Sequence, residues 1–246
     1  LRLSIGSDSL AYHKRSDHEL CMVIVCNGFD WQELIMASIN ASTVTLDWAM
    51  AEILANPRVL EKIREEVDHV VGKERMVEMA DLANLPYMKA VVKETLRKHT
   101  PGPFLIPHMS TEACTLQLDH DGVQCEYEIP SGTRMLVNAW AIANDPSVWK
   151  EPSKFLPERF ITEPDIDVYG RHYQLLPFGS GRRMCPGIGL AMGMVELGVA
   201  NLTHCFDWSV HGHDAAVDMS EKLGLSLPRI APLLAVPKTF RLTNEI

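Results

Sequence analysis

The chain has 246 residues, 46% hydrophobic and 22% charged, which fits one large or two small globular domains and excludes a disordered tail, a collagen-like fibre or a coiled coil. Its 23 Lys and Arg against 32 Asp and Glu give a formal net charge of −9, which argues against a nucleic-acid binder because phosphate neutralisation needs clustered cations. The longest apolar run, Leu20 to Gly28, is far too short to cross a bilayer, and no signal-peptide pattern opens the chain.

Leu1 is not Met, so the chain is expected to begin inside a longer protein. Residues 1–28 have no clear periodicity and no assigned role. Asp30 with Glu33 reads as a capping box ahead of a helix predicted over 31–56, about 39 Å long and free of Pro and Gly. Pro57 ends it, and Asn56 is predicted to cap a second helix that carries Val59, Leu60, Ile63 and Val67 and ends near Gly72. A third helix is predicted from Pro86 to His99, with Met88, Val91, Val92, Thr95 and Leu96 at helical spacing, closed by Pro101-Gly102-Pro103. Strands follow at 114–118, 126–129 and 134–137, parted by turns at Asp121-Gly122 and Ser131-Gly132. Pro146, Pro152, Pro157 and Pro164 forbid a long helix, so that stretch reads as ordered coil. A last helix begins at Pro186 and carries Ile188, Leu190, Ala191, Met194, Val195, Leu197 and Leu202; strand and loop follow from Asp207. The sum is a mainly α fold with a small β component.

None of the six cysteines (Cys21, Cys26, Cys114, Cys125, Cys185, Cys205) belongs to a C-x-x-C pair, which argues against a zinc ribbon or a redox dithiol. Five read as reduced, mostly buried thiols. Cys185 is the exception. It closes Pro177-Phe178-Gly179-Ser180-Gly181-Arg182-Arg183-Met184-Cys185-Pro186-Gly187, a Gly-rich turn with two arginines just before a helix. Helix N-termini favour thiolate, glycines let backbone approach a flat ligand, and Arg183 can neutralise a carboxylate on that ligand. A thiolate facing a planar, carboxylated ligand suggests haem. A buried structural Cys after a Gly loop is the plainer alternative.

Phe178-x-x-Gly181-x-Arg183-x-Cys185-x-Gly187 resembles the haem-thiolate signature of the cytochrome P450 family at every fixed position. Five fixed residues in ten occur by chance in roughly one chain in ten thousand, so the match is specific. The resemblance implies Cys185 as the axial ligand of haem b (iron protoporphyrin IX) and Arg183 as a partner of a haem propionate. His108, in the Pro101 to His108 stretch, stands where many relatives have an Arg that also contacts a propionate.

Glu94-x-x-Arg97 alone is uninformative, since a surface pair at that spacing is worth ~0.2–0.5 kcal/mol and Glu61-x-x-Arg64 repeats it. Followed by Pro157-Glu158-Arg159-Phe160 and then the Cys loop, it is similar to the family's order. The resemblance implies that Glu94, Arg97 and Arg159 form a buried clamp on the proline-rich coil, while Glu61 and Arg64 read as a solvated face.

The chain departs from the family in its long helix. Where most relatives carry an acid and a hydroxyl that manage protons, Ala37-Ser38-Ile39-Asn40-Ala41-Ser42-Thr43 has Asn40 and Ala41. An amide orients water without titrating, which leaves the hydroxyl role to Ser42 or to the substrate. Asn-x-Ser here, with Pro107-His108-Met109-Ser110, is similar to plant amino-acid N-monooxygenases that form aldoximes, whereas Phe178-Gly179-Ser180 resembles ordinary plant hydroxylases. Back-bonding of Ser42 and Thr43 to helix carbonyls is the structural alternative.

Residues 29–246 are thus expected to be the C-terminal half of the P450 fold, lacking the N-terminal half and its membrane anchor. The resemblance implies a plant microsomal-type monooxygenase on the cytosolic face of the endoplasmic reticulum, using O₂, a small organic substrate and electrons from an NADPH-dependent flavoprotein reductase, with Arg182 as a docking charge. A non-catalytic fragment, and a haem-thiolate isomerase or dehydratase, are the other readings.

Overall fold

A computed structural model describes residues 28–120, 123–210 and 216–242. Segment 1–27 with Cys21 and Cys26, the Asp121-Gly122 turn, and the side chains of Asp30 and Glu33 lie outside the described residues.

Helix α1 (Gly28–Ala55) runs to the stop that Pro57 imposes, and α2 (Pro57–Val70) begins at that proline. Asn56 does not cap α2 with its side chain. Its amide turns back and donates to Glu52 O (2.8 Å) and Glu52 Oε2 (3.2 Å), because the buried Glu52 carboxylate draws the donor away. Val59, Ile63 and Val67 form the buried stripe of α2.

After a 3-10 turn at Asp81–Asn84 comes α3 (Pro86–Lys98). Its free first-turn amides are satisfied from another helix: Glu66 of α2 accepts from Tyr87 N–H (2.7 Å) and Met88 N–H (2.9 Å). Burial raises the Glu66 carboxyl above its ordinary range, and these two bonds partly oppose that. Met88, Val91, Val92 and Leu96 of α3 enter the main core with Val59 and Ile63 of α2 and, from the last helix, Val195 and Val199. Fully burying one such side chain contributes about 1.5–3 kcal/mol.

The strands that follow are β1 (His108–Met109), β2 (Cys114–His120), β3 (Val123–Ile129) and β4 (Arg134–Met135). β1 pairs antiparallel with β4, and β2 with β3 in a hairpin whose register opposes Leu116 to Tyr127 and Leu118 to Cys125. That hairpin has no covering layer, so Cys114 is exposed and Cys125 half-buried; only Cys205 among the described cysteines is buried, contrary to the expectation of mostly buried thiols. Helix α4 (Ala139–Ala143), not expected from sequence, is capped by Asn138 Oδ1, which accepts from Ala141 N–H (2.9 Å).

The proline-rich coil holds one short turn of helix, α5 (Arg159–Thr162). A 3-10 turn at Gly181–Arg183 precedes α6 (Ile188–Cys205), and β5 (Phe206–Val210) pairs antiparallel with β6 (Ala235–Phe240). α6 is long and apolar enough to cross a membrane, but 56% of it is buried in the core. Arg64 does not belong to a solvated face. Its guanidinium donates to Thr203 O (3.2 Å) and Phe206 O (2.7 Å) and pairs with Asp207 (2.9 Å), because the carbonyls ending α6 lie within its reach and lack helical partners.

Candidate haem-binding site

The Cys185 loop is folded by its own backbone. Cys185 N–H donates to Phe178 O (3.0 Å), Met184 N–H to Gly181 O (3.2 Å) and Gly179 N–H to Leu176 O (3.1 Å). Gly179 (φ +74°) and Gly181 (φ +72°) occupy the left-handed region, where a β-carbon is costly. Phe178 anchors the loop by packing against the main core. The half-buried Cys185 thiol is free, just ahead of the Gly187 cap of α6, and a β-carbon on Gly187 would stand 3.9 Å from its Sγ.

Gly170 (φ +71°) supports this loop from behind and was not singled out by its sequence. A β-carbon there would meet Gly179 O at 2.8 Å, Ser180 Cα at 3.0 Å and Met184 Sδ at 3.2 Å, and Ser180 Oγ donates to Gly170 O (2.6 Å). Arg182 and Arg183 are exposed on the 3-10 turn, with no ion pair among the described residues. His108 is exposed at the start of β1. The chain leading to it passes the loop, since a β-carbon on Gly179 would stand 4.0 Å from Leu105 Cδ1.

Glu94 and Arg97, both fully buried, are joined by two hydrogen bonds, Nε to Oε2 at 2.8 Å and Nη2 to Oε1 at 2.9 Å. Arg159 Nε reaches Glu94 Oε1 at 3.1 Å, and Leu156 N–H donates to the same oxygen (2.9 Å). Arg97 also donates to Ala143 O and Pro152 O, each at 2.8 Å, and Arg159 to Lys150 O at 2.9 Å. Trp149 lies under both guanidiniums, 5.5 Å from Arg97 and 5.8 Å from Arg159. Both guanidiniums and the Leu156 N–H thus donate to oxygens, which lets the buried charges hold one geometry, while the buried Trp149 Nε1 has no hydrogen-bond partner among the described residues. The coil is held at its far end as well, by Lys93 Nζ donating to Ile166 O (2.8 Å).

On α1, Asn40 is exposed and its Oδ1 lies 3.5 Å from Ser226 Oγ. Ser42 is half-buried and makes no side-chain hydrogen bond among the described residues; back-bonding is done instead by Ser38 to Ile35 O (2.9 Å) and Thr45 to Ala41 O (2.8 Å). A second buried cluster, unmarked by any sequence motif, sits below: His99 contacts Glu52 (2.7 Å) and Glu221 (3.2 Å), and Lys98 pairs with Glu52 (2.8 Å). Burial alone would raise the Glu52 carboxyl, but the hydrogen bonds from His99 and Lys98 outweigh it and hold the group below its ordinary range.

A family model described as Cytochrome P450 matches residues 30–235. The chain belongs to the cytochrome P450 family. It is 48% identical over 207 residues to 3,9-dihydroxypterocarpan 6A-monooxygenase of Glycine max, across 83% of the chain and 39% of that relative. It is 43% identical over 218 residues to 2-hydroxyisoflavanone synthase of Glycyrrhiza echinata, across 83% and 40%. A structure of zebra fish cytochrome P450 with progesterone aligns at TM-score 0.71 and 32% identity, covering 83% of the chain and 45% of that structure. The chain therefore spans about two fifths of the curated relatives it matches. The expected fold class holds: the chain is a partial P450 fold, mainly α with small sheets.

The family implies haem, and the P450 loop fits it. Cys185 presents one free thiol apart from any group of three ligating side chains among the described residues, the donor set of a single axial bond rather than of a tetrahedral site. A β-carbon on Gly181 would meet nothing within 4 Å, so no protein atom fills that position of the Cys185 loop. Arg183, without an ion pair among the described residues, suits a carboxylate.

Proposed function

We propose that residues 29–246 are the haem-holding C-terminal half of a plant microsomal-type P450 monooxygenase. The observation that carries this reading is the free, half-buried Cys185 thiol on a loop closed by its own backbone and seated on Gly170. When bound, haem b supplies O₂ activation and insertion of one oxygen atom into a small organic substrate.

The protein's own residues bind, orient and shield. Cys185 supplies the thiolate, Arg183 and His108 hold the propionates, and Phe178, Gly181 and Gly187 shape the loop around them. Glu94, Arg97 and Arg159 hold the coil that carries Gly170, so they act on the site through the backbone. Asn40 orients a water on the substrate side, and the Ser42 hydroxyl, unpartnered among the described residues, passes a proton from that water onward, receiving one as it gives one. Arg182 is a contact for an NADPH-dependent flavoprotein reductase, and the full-length protein resides on the cytosolic face of the endoplasmic reticulum.

Cys185→Ala in the full-length protein tests the assignment. The reduced, CO-bound protein should lose its thiolate-type absorption, because no other described cysteine lies in such a loop. Survival of that absorption would remove Cys185 as the ligand.

A further inference from the structure

Residues 217–230 fold back on themselves against α1 and α3. Lys222 N–H donates to Pro228 O (2.8 Å) and Ile230 N–H to Ser220 O (2.9 Å), with Glu221 and Arg229 forming an isolated antiparallel bridge. The tip carries Leu223 and Leu225, 72% and 79% exposed, and Ser226, whose hydroxyl lies 3.5 Å from Asn40 Oδ1. Two backbone ties hold the base: Trp48 Nε1 donates to Leu227 O (2.8 Å), and Leu227 N–H to Pro101 O (3.0 Å). Arg229 approaches Asp47 of α1 at 3.6 Å.

The remaining tie runs between side chains, through a buried imidazole. His99, only 4% exposed, stacks flat on Trp48 at 3.8 Å, with Nδ1 3.2 Å from Glu221 Oε1 and Nε2 2.7 Å from Glu52 Oε1. With Lys98 also on Glu52, the ring links a carboxylate of α1 to the loop's Glu221 through its two nitrogens, and altering Glu221 weakens the loop's half of that link. The bridge joins α1, α3 and the loop at the point where the loop turns toward Asn40.

We propose that His99 and Glu221 are positioning residues for substrate: their bridge sets where Ser226 and the apolar tip stand relative to Asn40, and so which substrates fit. The identity of that pocket rests on the P450 reading above; the bridge itself does not.

The test uses the full-length, haem-loaded protein with Glu221→Gln, which removes the charge at equal size, and Glu221→Asp, which keeps it. Hydrogen–deuterium exchange at the Lys222, Leu227 and Ile230 amides should rise about tenfold in E221Q and less in E221D, with α3 and α6 unchanged. The optical affinity for a phenyl-substituted imidazole should shift about threefold or more in E221Q while that for imidazole, too small to touch the loop, stays the same. Unchanged exchange overturns the bridge, and a looser loop with an unchanged ratio of the two affinities overturns its positioning role. Absence of any optical response in the wild-type protein would instead sink the P450 reading, with the exchange data still deciding the bridge.

Discussion

Arg159 Nε stands 3.1 Å from Glu94 Oε1, so a residue within the proline-rich coil shares the carboxylate that Arg97 already holds from the same helix. The coil that approaches the Cys185 loop is thereby fastened to α3 by charge and by geometry together.

Glu94→Ala strands both guanidiniums and the Leu156 N–H in a dry interior, and should cost about 3–5 kcal/mol. Arg159→Ala leaves Glu94 paired with Arg97 and should cost less, about 1–3 kcal/mol. Both are read as yield of soluble, haem-loaded protein and as urea midpoint, at unchanged substrate affinity in what folds. Wild-type midpoints in both variants would dissolve the clamp.

Gly170→Ala drives a β-carbon onto the Gly179 carbonyl, so the Cys185 loop must move; weakened haem retention and a depleted thiolate-type absorption should follow. Gly181→Ala meets no protein atom within 4 Å but carries left-handed strain of about 1 kcal/mol at a position that shapes the loop around haem, so it should weaken haem retention less than Gly170→Ala. Gly102→Ala, equally open and without that strain, should fall within about 0.5 kcal/mol of wild type. Equal haem retention in all three would mean that Gly170 does not seat the loop.

Ser42→Ala should uncouple NADPH consumption from product and release hydrogen peroxide, with product formation falling by about 10²-fold. Asn40→Ala should impair turnover more mildly by loosening the oriented water. Product and peroxide yields measured side by side decide the matter, and full coupling in both variants would reduce this stretch of α1 to helix packing.

Glu158 offers a test in pH. Burial would raise its carboxyl, yet hydrogen bonds from Arg58 and Lys62 hold it down at about 2, against an ordinary value of 4.5. The folded state thus keeps this carboxylate ionised to lower pH than the unfolded chain does. Its stabilisation is whole above about pH 4.5 and is lost as pH falls toward 2. Because a third of the side chain is exposed, the effect should be no more than about 1 kcal/mol. The gap in urea stability between wild type and Glu158→Gln should narrow from pH 6 to pH 3, and a constant gap would contradict the assignment.

What the sequence disclosed is what is local to it. Pro57 and Pro86 mark two helix starts, and the stripe of Val59, Ile63 and Val67 shows which face of α2 is buried. The Cys185 loop is legible for the same reason, since its glycines and its thiol lie within one short run. Long-range partnerships were hidden. Glu61-x-x-Arg64 and Glu94-x-x-Arg97 look alike on paper, and only the fold brings the carbonyls of Thr203 and Phe206 to Arg64. His99 likewise meets partners 47 and 122 positions away, a relation that no spacing rule records. Asn56 carries a sound capping signal, overridden by the nearer demand of a buried carboxylate.

The Glu66 carboxylate that holds the first amides of α3 has a mechanical consequence. Tied at Tyr87 and Met88 by α2, and at Glu94 and Arg97 by the coil, α3 is restrained near both ends. Both ties belong to this chain. Chimeras that exchange everything upstream of α1 among relatives should therefore keep α3 in its native seat, so that α2, α3 and the coil can be inherited as a unit while the exchanged part diverges.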